Sequence, residues 1–319
     1  MTRVVVTRPE LPGTALEELT ARADAEVVVR NSHEPIDVAE CIALLDGAAI
    51  AVVTGMDRLP AAVFDAVPDL RHVATVSVGT DAIDLDAAAA HDVSVSNVPA
   101  TMAEACADHT FGLLLAARRR LVETDRAIRA GEWRHLTMHS WLGAEVSGAR
   151  LGLVGFGAIA QAVARRAVAF GIDVVHHHRR RGCADHSTGM SLDQLLEVSD
   201  IVSLHVPLTP ATHHLIDAVA LGRMRPNATL INTARGAVVD EAALLDALAA
   251  GRLHSVALDV FEREPLDDVD HPLLRYPNVV VSPHAASATE STRAAMVSRA
   301  VTNVVAVLDG APPPDLVTE

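Results

Sequence analysis

Leu151-Gly152-Leu153-Val154-Gly155-Phe156-Gly157-Ala158-Ile159-Ala160 is the stretch whose reading decides the fold. An apolar run ends at two glycines one residue apart and opens into an alanine-rich segment with helical periodicity, so it reads as strand, tight turn and helix. Glycines at such a turn let the backbone approach a pyrophosphate, and the positive end of the following helix faces that anion. Ala160 is small enough to stand where a third glycine would pack helix on strand. Gly155, Gly157, Ala158 and Ile159 are therefore candidate dinucleotide contacts, and a purely structural glycine turn is the alternative that the two flanks weigh against.

Outward from this turn, apolar runs alternate with amphipathic stretches. Downstream, Asp173 to His177, Ile201 to Leu204, Thr229 to Asn232, Ser255 to Leu258 and Val279 to Val281 read as strands, with helices at Ile159 to Phe170 and Leu192 to Val198, the rhythm of a doubly wound sheet. Upstream, Val4 to Thr7, Ile50 to Val53 and Val73 to Val76 read as strands of a first series, with a helix at Thr14 to Arg22. One long helical stretch is expected from about Met102 to Ala130, and the chain crosses between the series near Val98-Pro99. A last helix, Thr289 to Leu308, follows the second sheet and is placed to return to the first, before Pro312-Pro313-Pro314 stops regular structure. The fold class is α/β, with two Rossmann-like doubly wound parallel-sheet domains.

Composition narrows the function classes. The chain of 319 residues is longer than one core usually serves, and 50% hydrophobic with 3% aromatic residues calls for cores of Ala, Val, Leu and Ile. A net charge of -15 repels nucleic acid and anionic lipid, so neither is an expected partner. Cys41, Cys106 and Cys183 are odd in number and scattered, which argues against disulfides or zinc and suits a reducing cytoplasm. The N-terminal apolar run breaks at Pro9, too short for a signal peptide or membrane span.

After the glycine turn the next strand ends in Val174-Val175-His176-His177-His178-Arg179-Arg180-Arg181. A carboxylate there would hold a ribose 2'-hydroxyl, and none is present. His178, Arg179 and Arg180 instead suit a 2'-phosphate, since guanidinium forks pair with phosphate, so NADP is expected over NAD. A solvated basic turn is the other reading. His176 and His178 alone could converge on a metal from one strand face, with no third ligand in view, so no metal is expected. His213-His214 lack acidic or Cys companions in sequence and read as surface residues.

Three segments leave successive strands with chemistry attached. Arg235, in Asn232-Thr233-Ala234-Arg235-Gly236, can fork onto a carboxylate and keto oxygen. Glu264 precedes Pro265 in a stiffened loop and can pair with a histidine. His284, after Pro283, is the expected general acid, its ring held by the Glu264 carboxylate. Singly each has a plain structural explanation; their common placement after strands of one nucleotide-binding sheet favours a site.

The segments NTARGAVVDEAALLDAL, ALDVFEREPL and VSPHAASAT, with VSVGTDAIDLDAAA, LGLVGFGAIAQAVARR and SDIVSLHVPLTPATHHLI, closely resemble the signatures of the D-isomer-specific 2-hydroxyacid dehydrogenases. The resemblance implies that Arg235, Glu264 and His284 bind and protonate a 2-keto acid, and that backbone amides at Val78 and Gly79 receive its carboxylate. It further implies cofactor contacts at Val206, Pro207, Thr233, Ala234, Arg235, Asp259, His284 and Ala286. Residues 1–98 with 286–319 would form a substrate domain and 99–285 the dinucleotide domain, with the active site in the cleft between them and pairing into a homodimer through the latter. The long apolar stretch from Phe111 to Leu115 would serve that contact or an internal core. Ser77-Val78-Gly79 and Ser287-Ala288-Thr289 are most similar to the glyoxylate/hydroxypyruvate reductase branch. Phosphoglycerate dehydrogenases would carry an Arg in the segment around Val78, and a dinucleotide-sensing corepressor would differ in having disordered ends or a basic patch. Met102 and Asp108 depart from the Asn and Glu that many relatives carry.

Overall fold

Two parallel sheets, each built from short β-branched runs, organise the computed structural model, which describes residues 1–99, 101–178 and 187–317. Contacts divide the chain into two units, Met1–Met102 with Ala288–Glu319, and Ala103–Ser287. In the first unit, strands β1 (Thr2–Val6), β2 (Ala25–Val29), β3 (Ile50–Val53), β4 (His72–Thr75) and β5 (Ser94–Ser96) are ordered β2-β1-β3-β4-β5. All neighbours are parallel, so both faces must be covered. Val5, Ala51, Val53 and Val73 pack on one face against Phe64 and Leu45. Val4, Val6, Ile50 and Val52 face the other way, where the helix Glu290–Leu308 lays Val297, Val301 and Val304 against them.

The second unit holds β6 (Arg150–Val154), β7 (Asp173–His177), β8 (Thr188–Gly189), β9 (Ile201–Leu204), β10 (Ala228–Asn232), β11 (Leu253–Leu258) and β12 (Val279–Val281), ordered β12-β11-β10-β9-β6-β7-β8 and again parallel. The strand order reverses at β6, and the crevice between the carboxyl ends of β6 and β9 is where ligands of such sheets bind. The expected strands from 150 to 281 are all present. Three strands, β2, β5 and β8, were not among those expected, and of these β5 and β8 carry too few residues for a period to show.

The expected single helix from 102 to 130 is instead two, Ala103–Arg118 and Leu121–Arg129. Arg118 has its side chain buried against the carbonyls of Glu145 and Asp200, and its own carbonyl accepts the Ala144 amide at 2.8 Å. Arg120 then sits in the left-handed region at φ 55°. A tertiary donor, the Ala144 amide, has replaced the helical one at this carbonyl, which no local period reports.

His72 is fully buried on β4, and burial pushes its pKa down to about 4 from 6.5. Ser94 Oγ is 2.8 Å from Nδ1 and donates to the Arg71 carbonyl, so Nδ1 is the donor and Nε2 accepts from Ser96 Oγ at 3.0 Å. Between pH 6.5 and 4 the unfolded chain takes up a proton that the folded one refuses, so stability rises with pH across that window and is lost as pH falls. The full loss from this group is about 3 kcal/mol. Urea unfolding from pH 7 to pH 4 is expected to show a shallower decline in His72→Gln than in the parent.

Candidate active site

The turn after β6 is shaped by its glycines. Gly155 has φ 91°, and a Cβ there would stand 2.5 Å from the His205 carbonyl oxygen, so the ends of β6 and β9 touch only because it has none. Gly157 is exposed, and a Cβ on it would meet no atom within 4 Å. Protein packing therefore does not require glycine at 157, and the open space beside it can admit a ligand. The helix Ala158–Ala169 begins there without a side-chain cap or an acidic residue in its first turn, leaving its first amides and the positive end of its dipole for an anion. Ala160 is fully buried where helix meets strand. Val206 and Pro207 follow β9 on the facing side of the switch point. These features fit a dinucleotide pyrophosphate.

His178 is the residue just past β7 and is exposed. Arg179 and Arg180 lie outside the described residues. His176 is buried, stacks on Phe156 with ring centroids 4.1 Å apart and lies 2.8 Å from Ser187 Oγ, so its ring is already engaged within the protein. Among the described residues no group of three or more His, Cys, Asp and Glu is arranged to hold a metal.

Glu264 and His284 meet directly, with His284 Nδ1 2.7 Å from Glu264 Oε2. The other carboxylate oxygen accepts the Phe261 amide at 2.9 Å, so the acid is aimed from both ends. With Nδ1 engaged, Nε2 is the ring nitrogen left to face a substrate. His284 adopts φ 50°, and its amide donates to the Asp259 carbonyl at 2.7 Å. Beneath it, the buried Asp259 carboxylate accepts from the amides of Ala285 and Ala286 and from Ser282 Oγ, with His109 Nε2 at 3.3 Å. Burial alone would raise the Asp259 pKa, but these donors, led by His109 and Ser282, hold it below the usual carboxylate value.

Arg235 follows β10, after Thr233 and Ala234, and is half-buried. Its carbonyl accepts from Asn232 Nδ2 at 2.9 Å, while Asn232 Oδ1 takes the Ala234 amide, so one buried Asn shapes the whole turn. Gly236 lies against the next loop so closely that a Cβ would fall 1.8 Å from the Phe261 carbonyl carbon. The loop bearing Arg235 thus rests on the loop bearing Glu264.

His109 and Thr110 escaped the sequence reading. On the helix Ala103–Arg118, His109 reaches Ser282 Oγ at 3.0 Å, beside His284, and Thr110 reaches Thr233 Oγ1 at 3.1 Å, beside Arg235. The same helix ties Glu104 and Asp108 to Arg166 of the glycine-turn helix. Three consecutive polar residues, Asp108-His109-Thr110, at the edge of the apolar run from Phe111 were the available signal. His214 is a correction: it has the acidic companions that its sequence neighbours lack, with Nε2 2.8 Å from Glu262 and Nδ1 3.9 Å from Asp240. Those partners arrive from other loops and leave no mark beside it in sequence.

In the first unit, Val78 and Gly79 follow β4, Val78 exposed and Gly79 half-buried.

A doubly wound sheet with a glycine turn at its switch point, and with an arginine and a Glu-His pair on its carboxyl edge, defines a nucleotide-dependent oxidoreductase of acids. The family model described as "D-isomer specific 2-hydroxyacid dehydrogenase, NAD binding domain" matches residues 111–286. The glyoxylate reductase of Aeropyrum pernix is 42% identical over 99% of this chain and 95% of its own. A Thermus thermophilus structure covers 99% of this chain and all of its own with TM-score 0.93 and 44% identity. The NADPH-dependent glyoxylate/hydroxypyruvate reductase of Sinorhizobium meliloti, solved with NADP and malonate, covers 99% of this chain and 97% of its own with TM-score 0.87 and 33% identity. The chain belongs to the D-isomer-specific 2-hydroxyacid dehydrogenase family.

Proposed function

We propose that this dehydrogenase reduces a small 2-keto acid of the glyoxylate or hydroxypyruvate kind to its D-2-hydroxy acid, with NADPH preferred over NADH. The observation that carries the reading is the Glu264–His284 pair, 2.7 Å apart on the sheet edge that also bears the uncapped glycine turn. Bound nicotinamide supplies a hydride to the keto carbon. The developing alkoxide then needs a proton, which His284 donates from Nε2 while Glu264 holds the Nδ1 hydrogen and balances the ring's charge. Arg235 forks onto carboxylate and keto oxygen, and the amides of Val78 and Gly79 receive the carboxylate.

The cofactor would be held by Gly155, Gly157, Ala158 and Ile159, with Val206, Pro207, Thr233, Ala234, Arg235, His284 and Ala286 as further contacts, Asp259 near the nicotinamide end and His178, Arg179 and Arg180 at the 2'-phosphate. The missing carboxylate at the end of β7 supports NADPH. The unit Met1–Met102 with Ala288–Glu319 serves the substrate and Ala103–Ser287 the dinucleotide. Absorbance assays with NADPH and NADH against glyoxylate, hydroxypyruvate, pyruvate and 2-ketogluconate test the assignment. Parity or NADH preference overturns the cofactor reading. Tight cofactor binding without turnover of any 2-keto acid favours a dinucleotide-sensing protein.

A homodimer belongs to the same reading. Phe111, Leu113 and Leu114 are buried in the second unit's own core and are not available for it. The exposed apolar residues lie just beyond, at Leu121, Ile128, Trp133, Leu136, Met138 and Leu142. Light scattering at micromolar concentration is expected to give twice the chain mass, and Trp133→Glu with Leu136→Glu to give the chain mass; a monomeric parent overturns the pairing. No helix among the described residues is long and apolar enough to cross a membrane, and the cysteine pattern supports a cytoplasmic enzyme.

A further inference from the structure

The loop Ser77-Val78-Gly79-Thr80 has all of its first three carbonyls engaged. Ser77 O accepts the Val98 amide at 3.0 Å, Val78 O accepts Asn97 Nδ2 at 2.8 Å, and Gly79 O accepts Ser77 Oγ at 2.6 Å. In a trans peptide the carbonyl and the following N–H point in opposite directions, so fixing each carbonyl aims the next amide away from it. The amides of Val78, Gly79 and Thr80 are aimed in this way, and none donates to an acceptor among the described residues. Successive amides so presented make a nest for an anion.

Asn97 is itself held from the far end of the chain. Its carbonyl accepts Asn303 Nδ2 at 3.2 Å and its amide donates to the Asp315 carbonyl at 3.3 Å. Asn303 is fully buried and also bonds both the amide and the carboxylate of Asp315, which Arg299 grips bidentately. Together these contacts fix where Asn97 offers its amide, and they seat the segment around Asp315 beside β5, where Leu316 bridges Ser96.

We infer that Asn97 is a positioning residue for the substrate carboxylate, and that Asn303 and Asp315 hold it in place. The inference rests on the reading that Val78 and Gly79 receive that carboxylate. A freed Val78 carbonyl lets the peptide rotate, and the Gly79 amide no longer points at the anion. Net loss of one such hydrogen bond corresponds to about a tenfold change in binding.

The test is calorimetric titration of oxalate into the NADPH-loaded protein, with NADPH affinity, thermal midpoint and steady-state kinetics on glyoxylate alongside, for the parent, Asn97→Ala and Ser77→Ala. Both variants are expected to weaken oxalate and raise KM about tenfold, with NADPH affinity and thermal midpoint kept and kcat changed far less. Unchanged oxalate affinity and KM in both variants overturns the inference. So does loss of NADPH affinity in step with oxalate, which marks a general structural role. A parent that binds NADPH but no oxalate overturns both the inference and the reading of Val78 and Gly79. Oxalate binding that is lost in the variants, without turnover of any 2-keto acid by the parent, upholds the inference and overturns the reaction assigned above.

Discussion

His284→Gln is expected to lower kcat with a 2-keto acid by about 10²–10⁴-fold while leaving NADPH affinity and the thermal midpoint near those of the parent. Glutamine keeps much of the side-chain volume and a hydrogen-bonding amide, so Glu264 retains a partner, but it has no proton to give the alkoxide. A loss of about 10³-fold is about 4 kcal/mol of transition-state stabilisation, a plausible share for one positioned acid. Glu264→Gln, which keeps an acceptor for the Phe261 amide and removes the charge beside His284, is expected to cost less. Stopped-flow measurement of nicotinamide absorbance separates this chemistry from product release. A His284→Gln protein that turns over at the parent's rate removes His284 as the acid and with it the role given to the pair.

Gly236→Ala is expected to be the most damaging addition of a single methyl group in the second unit's site. The new Cβ would lie 1.8 Å from the carbonyl carbon of Phe261 and 2.3 Å from the amide nitrogen of Glu262. Both are backbone atoms, so no rotamer change relieves the clash, and the loops bearing Arg235 and Glu264 must part. The cost is expected at or beyond the top of the roughly 1–3 kcal/mol range of ordinary overpacking. Displacement of Arg235 by about 1 Å is expected to lower kcat/KM about 10²-fold in the fraction that folds. Gly222→Ala is the control, since a Cβ there meets nothing within 4 Å and lies in a helix. It should leave stability unchanged or raise it. Urea denaturation of both variants with kinetics at 25 °C distinguishes them, and a Gly236→Ala protein as stable and active as the control shows that the loops are not in the contact described.

Much of this site was legible in one dimension because each piece is local. An apolar run, two glycines and a helical period state a strand, a turn and a helix within ten residues, and Arg235, Glu264 and His284 each stand just beyond such a run. Their alignment on one edge follows from parallel pairing, which brings successive carboxyl ends to the same side of the sheet. The break at Arg120, the acids around His214 and the contacts of His109 were not legible in this way. Each depends on an atom from a segment distant in sequence, as when Ala144 takes the carbonyl of Arg118.

The sequence by itself determined the two series of parallel strands, the nucleotide turn and the chemical groups offered after the strands, because periodicity and turn chemistry are properties of neighbouring residues. Only the tertiary structure decided how those groups are held. Asn303 and Asn97 are 206 positions apart, and their 3.2 Å contact exists because the last helix packs on the first sheet. No period or motif carries that information; it arises when strand order and helix packing bring distant backbone atoms within hydrogen-bond reach.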